Sequence, residues 1–239
     1  MARFQLHGLV ADHVTLHTDA PTHELLRLDG MSALVSTLPA TTEFDPSRPE
    51  DVAAWAMIHH AILVAYCAEN AVLPMALGAA FSSKRAIVSA LDTQQADHRR
   101  ALEELGNLRE FTIQLSSIPA SSKGCDKAKF TPPTGRAFLR ARQSARDNRQ
   151  NVTASQKAYA AQILEKLYTC AEQITHRSKS ERWLDCAGLF PKSQIPTLRQ
   201  IARTCHTDAR ARGLDLVIAG PWPPYSYDLE ARDARPAAP

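Results

Sequence analysis

The segment Leu214-Asp-Leu-Val-Ile-Ala-Gly-Pro-Trp-Pro-Pro-Tyr-Ser-Tyr227 constrains the fold more than any other. Leu214, Leu216 and Ile218 alternate as in a strand buried on one face. Pro221, Pro223 and Pro224 fix φ and lack an N–H, so the chain cannot continue as a central sheet member and must leave as a stiff arm. Gly220 supplies the bend. On that arm Trp222 and Tyr225 have little conformational freedom left to lose, which suits them to cap their own domain's core or to anchor a partner. The one-sided strand that precedes them favours the cap.

Upstream, Arg3 to Val10 reads as a strand, and His23 to Leu28 and Met31 to Leu38 flank Asp29-Gly30, a pair suited to a tight hairpin turn. From Pro49 to about Asn70, Val52, Trp55, Ile58, Ile62, Leu63 and Tyr66 recur at helical spacing, with Glu50 and Asp51 where the helix dipole favours acids. Ala71 to Phe81 reads as one buried strand, Ser83 to Leu105 as one helix, and Glu110 to Ile118 as a strand closing at Pro119. The order β-β-β-α-β-α-β predicts an α+β domain over 1–119 whose two helices cover one face of a sheet. A linker over 120–133, rich in Ser, Lys and Pro, follows. A second α+β domain over 134–227 is expected to hold a helix from Thr134, a stripe of Tyr159, Ile163, Leu167, Cys170 and Ile174, a strand from Trp183 to Phe190, a helix through Ile195, Leu198, Ala202 and Cys205, and the strand Leu214 to Ala219. The tail 228–239 has little to bury and is expected to be mobile.

Composition narrows the chemistry. Nine glycines, none closer than Gly213 and Gly220, leave no room for a dinucleotide fingerprint or a P-loop. The five cysteines form no C-x-x-C pair and suit a reducing cytoplasm rather than a disulfide framework or zinc ribbon. No signal peptide or membrane span is read: the longest apolar stretch, Ala53 to Ala68, is interrupted by His59 and His60. His13 and His17 have i, i+4 spacing but no helical context, Cys205-His206 are adjacent and diverge on a helix, and Glu103-Glu104 read as solvated surface. No catalytic, metal or cofactor residue is assigned.

Charge is asymmetric. Residues 1–120 carry 8 basic and 14 acidic residues and 121–239 carry 20 and 11, so the halves differ as −6 and +9, which leaves self-association open. Arg136, Arg140, Arg142, Arg146 and Arg149 run a basic band along the expected helix 134–149, against the single acid Asp147. An acidic partner could use it. A nucleic-acid-binding module is the alternative function, but Phe138 is the only aromatic nearby, so a stacking platform is lacking and nucleic acid is not among the expected partners.

The segment Gly220 to Tyr227 closely resembles the end of the gas vesicle protein F/L family (GvpF/GvpL). Three further patches agree in order: Ala71-Val72-Leu73-Pro74 followed by Gly78 and Phe81; Leu105-Gly106-Asn107-Leu108-Arg109-Glu110; and Thr134-Gly135-Arg136-Ala137-Phe138-Leu139. This chain departs from the family at Met75, Ala76 and Leu77, where a basic residue and an aromatic are usual, and at Tyr227, where Phe is usual. The resemblance implies a ferredoxin-like N-terminal domain followed by a helical α+β domain. It also implies a non-enzymatic accessory protein that needs no cofactor, works in the cytoplasm on the gas vesicle rather than on a lipid membrane, and binds the hydrophobic shell protein and other accessory proteins during nucleation and assembly. The partner-binding candidates are Trp222, Pro223, Pro224 and Tyr225 on the arm, with Arg136, Arg140, Arg142 and Arg146 on the basic band.

Overall fold

The computed structural model describes residues 3–38, 47–118, 153–177 and 182–227. It is α+β, and the chain divides into two compact units: residues 1–111, 188–193 and 219–239 in the first, 112–187 and 194–218 in the second.

The first unit opens with β1 (Arg3–Ala11), β2 (Glu24–Leu28) and β3 (Met31–Leu38). Strands β2 and β3 form the expected hairpin, Leu28 facing Met31, with Gly30 at φ +72° in the turn. Arg99 braces that turn by donating to the Asp29 carbonyl (2.7 Å) and carboxylate (2.5 Å). Helix α1 (Pro49–Cys67) follows, starting on proline with Glu50 and Asp51 in its first turn. Ala71 to Phe81, expected as one strand, is two short ones, β4 (Val72–Pro74) and β5 (Ala80–Phe81), with Gly78 between them at φ +84°. Both pair antiparallel with β1, and the sheet order is β2-β3-β1-β4.

Ser83 to Leu105 is also divided, into α2 (Lys84–Asp92) and α3 (Gln95–Leu105). The Ser83 hydroxyl caps α2 by accepting the Ala86 N–H at 3.1 Å, and at the break Thr93 Oγ1 donates back to the Ala90 carbonyl, the local competition that unsettles helix interiors. The break lets Ile87 and Leu91 of α2 and Ala101, Leu102 and Leu105 of α3 reach one face of the sheet, where they bury Leu6, Leu9, Ala33 and Val35.

Helix α1 lies on the other face, where Ile62, Leu63, Tyr66 and Cys67 pack with Val10, Leu34 and Val72. The expectation that all helices share one face is therefore corrected. Residues of both parities in β1 and β3 are apolar, Leu9 beside Val10 and Leu34 between Ala33 and Val35, so an uncovered face would leave large side chains in water at roughly 1.5–3 kcal/mol each.

A second sheet comprises β6 (Leu108–Ser117), β7 (Gln173–His176), β8 (Leu184–Pro191) and β9 (Leu214–Trp222), in the order β7-β8-β6-β9. Its helices are α4 (residues 153–168) and α5 (Ile195–Ala211). Tyr159 joins the two by donating its hydroxyl to the Cys205 carbonyl at 2.9 Å, beneath the guanidinium of Arg212. Burial and the neighbouring Cys205 push the Tyr159 phenol up to about 12. Ile174, counted with the helical stripe, belongs to β7: it stands four residues after Cys170 and so mimics helical spacing past the helix end. Strand β9 continues to Trp222, past the expected stop at Ala219, which is possible because it is the last strand in the order and an edge strand tolerates a proline whose nitrogen faces away from its one neighbour.

Candidate partner-binding site

The C-terminal arm docks within the first unit on two carboxylates. Glu110, 2% exposed, accepts from the Ser226 N–H at 2.8 Å and the Ser226 hydroxyl at 2.5 Å. Charge-assisted bonds of this kind are about twice as strong as neutral ones. Tyr227 donates its hydroxyl to Glu104 Oε2 at 2.9 Å, so the tyrosine that replaces the usual phenylalanine contributes a bond, and Glu104 is not simply a solvated helix residue. Gly220 passes so close to Glu110 and Phe111 that a Cβ there would lie 2.7 Å from the Glu110 carbonyl oxygen.

These fixed points set the arm aromatics against α1. Trp222 is half-buried with its ring 5.7 Å from that of His60, and Pro223 and Pro224 are buried. Tyr225 stacks on His60 and places its hydroxyl 3.0 Å from His60 Nδ1, while the residue as a whole remains 47% exposed. Burial of that hydroxyl, helped by Cys67 and Glu110, pushes the phenol pKa up, so it stays protonated. Trp222 and Tyr225 are thus seated on α1.

Between α1, the Pro74–Leu77 turn and the arm lies a cleft of about 560 Å³, lined by His59, His60, Met75, Leu77, Pro224 and Tyr225 among others. Met75, Ala76 and Leu77, the departure from the family's basic and aromatic pair, make its wall apolar. Behind it, His59 Nδ1 lies 3.2 Å from His7 Nδ1, and His7 Nε2 lies 2.9 Å from the Ser36 hydroxyl. Burial, with repulsion from His59 and His23, pulls His7 down to about 3, and burial followed by His60 lowers His59. Both are neutral near pH 7.

The same helix turns an apolar stripe to solvent. Ala53, Ala54, Met57, Ile58 and Ala61 are exposed, Met57 at 73% and Ile58 at 47%. Ile58 was expected on the buried face, which instead comprises His59, Ile62, Leu63, Tyr66 and Cys67. Because α1 is apolar nearly all round from Val52 onward, periodicity did not select its buried side. A cleft lined by no Asp, Glu, Lys or Arg, beside an exposed apolar helix, can bind an apolar surface.

Other candidates separate. His17 donates its backbone N–H to the Tyr66 hydroxyl, whereas His13 pairs with Asp12 at 3.8 Å. Among the described residues no group of three or more His, Cys, Asp or Glu is placed to hold a metal ion, and no helix is long and apolar enough to cross a membrane. Arg136, Arg140, Arg142, Arg146 and Arg149 lie outside the described residues, as do the linker 120–133 and the tail 228–239.

A family model described as gas vesicle synthesis protein GvpL/GvpF matches residues 17–227. The gas vesicle protein L of Streptomyces sp. (strain CB03234) is 25% identical, over 85% of this chain and 82% of that protein. Two crystal structures of gas vesicle protein GvpF share the fold. That from Anabaena sp. PCC7120 has a TM-score of 0.67 at 16% identity, covering 95% of both chains. That from Microcystis aeruginosa has a TM-score of 0.66 at 14% identity, covering 94% of this chain and 98% of that one. With the family model spanning the chain from the loop after β1 to the last residue of the docked arm, this protein belongs to the gas vesicle synthesis protein GvpL/GvpF family.

Proposed function

We propose that the protein is a non-enzymatic accessory factor that binds the small hydrophobic shell subunit of the gas vesicle, together with other accessory proteins, during nucleation and assembly. It works in the cytoplasm and on the growing vesicle. The observation that carries this reading is the exposed apolar stripe of α1, Met57 and Ile58 above all, on the helix that also walls the cleft beside Tyr225. Contiguous apolar surface of this kind marks interaction sites, and a shell subunit with an apolar face would aggregate unless that face were covered. Within the site Trp222 and Tyr225 act as anchors, with Pro223 and Pro224 as their rigid support.

Co-expression of the shell protein with this chain tests the reading, with pull-down and the soluble fraction as readouts. The parent chain is expected to retain the shell subunit in solution, and the M57E/I58E variant to lose it while melting like the parent, since both side chains already face water. No association with the parent chain would refute the function. A variant that binds as well as the parent would remove α1 from the site.

A further inference from the structure

The second unit contains a cleft of different chemistry. Helix α4 presents Lys157, Ala161, Leu164 and Tyr168 at spacings of four, three and four, which is one helical face. Opposite lie His176 and Arg177 at the end of β7 and Arg182 and Trp183 at the start of β8, enclosing about 300 Å³. Its floor is apolar, with Ala160 and Leu184 buried beside Leu164. Trp183 is held in place by donating its indole N–H to the Ser117 hydroxyl and its backbone N–H to the Leu115 carbonyl, both at 2.9 Å.

The rim is cationic. Lys157, Arg177 and Arg182 are exposed, and His176 stands 3.5 Å from the Tyr168 hydroxyl. Among the described residues one carboxylate lines the cleft, that of Asp185, only 6% exposed, with Arg182 at 2.9 Å and Arg177 at 3.9 Å. Among the described residues, three permanent cations therefore face one acid that is turned inward, and both guanidiniums keep about half of their surface in water (52% and 45%).

We propose that this cleft binds a short, extended, acidic segment of a partner protein, with one apolar side chain of that segment seated on Leu164 and Trp183. The guanidinium fork matches a carboxylate, and Trp with Arg is the pairing enriched at binding hot spots. From Lys157 to Tyr168 the helix rises about 16 Å, which about five extended residues would span. The basic excess of the second half of the sequence favours acidic segments as partners. This surface shares no residue with the apolar stripe of α1 and does not depend on the shell subunit.

The test is fluorescence anisotropy with the full chain and a labelled peptide Glu-Asp-Leu-Asp-Glu, without any shell protein. Saturable binding is expected at about 50 mM salt, weakening at least about tenfold by about 300 mM as the rim charges are screened. The matching peptide Lys-Lys-Leu-Lys-Lys is expected not to bind. K157E and R177Q are each expected to weaken binding several-fold. Lys157 makes K157E the decisive variant, because its exposed side chain leaves the Asp185 pairs intact even if R177Q melts early. Absence of saturation up to about 1 mM peptide, or equal affinity in K157E, overturns the proposal. A single-stranded oligonucleotide that binds more tightly and displaces the peptide overturns it in favour of a nucleic-acid surface.

Discussion

Lowering the pH from about 7 to about 5 is expected to destabilise the first unit through His7. The imidazole is fully buried, between His59 Nδ1 and the Ser36 hydroxyl, and its pKa falls from 6.5 to about 3. Below 6.5 the unfolded chain takes up a proton that the folded chain refuses, so the unfolded state binds more protons and stability rises with pH across that window. The stability that His7 contributes by remaining neutral is complete above 6.5 and is lost progressively as the pH falls towards 3. At roughly 1.4 kcal/mol per pH unit, the loss by pH 5 is about 2 kcal/mol from this group alone, a sizeable part of a typical total of about 5–15 kcal/mol. His59 and His98, both lowered by burial, act in the same direction. Urea unfolding of the parent and of His7→Gln at both pH values reads the share of His7 together with its coupling to His59 and His23, because the titrating groups not coupled to it cancel in the comparison. The pH-dependent loss in the variant should be smaller by about 2 kcal/mol. Equal losses in the two proteins, or a His7 imidazole that titrates near 6.5 in the folded state by NMR, would refute the argument.

Three further outcomes follow from the geometry. Gly220→Ala should lower the melting temperature and loosen the arm, since φ +147° costs an L-residue about 1–3 kcal/mol and its Cβ would meet the Glu110 carbonyl oxygen; differential scanning calorimetry reads the loss. Tyr66→Phe should cost about 1–3 kcal/mol and speed amide exchange in the loop before β2, because the hydroxyl accepts the His17 N–H (3.1 Å) and bonds His23 Nε2 (2.6 Å), while His23 Nδ1 is held by the Pro21 carbonyl; an unchanged exchange pattern would contradict this. Ser83→Ala should cost about 1 kcal/mol in urea unfolding by removing the cap of α2.

The parts of this protein legible in its sequence are those whose cause is local. The Asp29-Gly30 turn follows from residues that tolerate positive φ between two apolar runs, and the start of α1 from Pro49, Glu50 and Asp51, whose effects on φ and on the helix dipole need no distant partner. The prolines of the arm likewise limited β9 to a place at the end of its sheet. Tertiary structure decided what each apolar surface faces. Periodicity along α1 could not choose between Ile58 and His59 as the buried residue, because the choice depends on the shape of the sheet beneath, and β1 and β3 revealed a demand for helices on both faces only once they were paired side by side. The arm shows the same division. Its stiffness is written in Pro221, Pro223 and Pro224, but its seat depends on Glu110 and Glu104, 116 and 123 residues away from the groups they bind, and on His60, 165 residues from Tyr225. The His7–His59 pair, 52 residues apart, has no sequence signature, since each is an isolated histidine until a strand and a helix bring the two rings into one low-dielectric space.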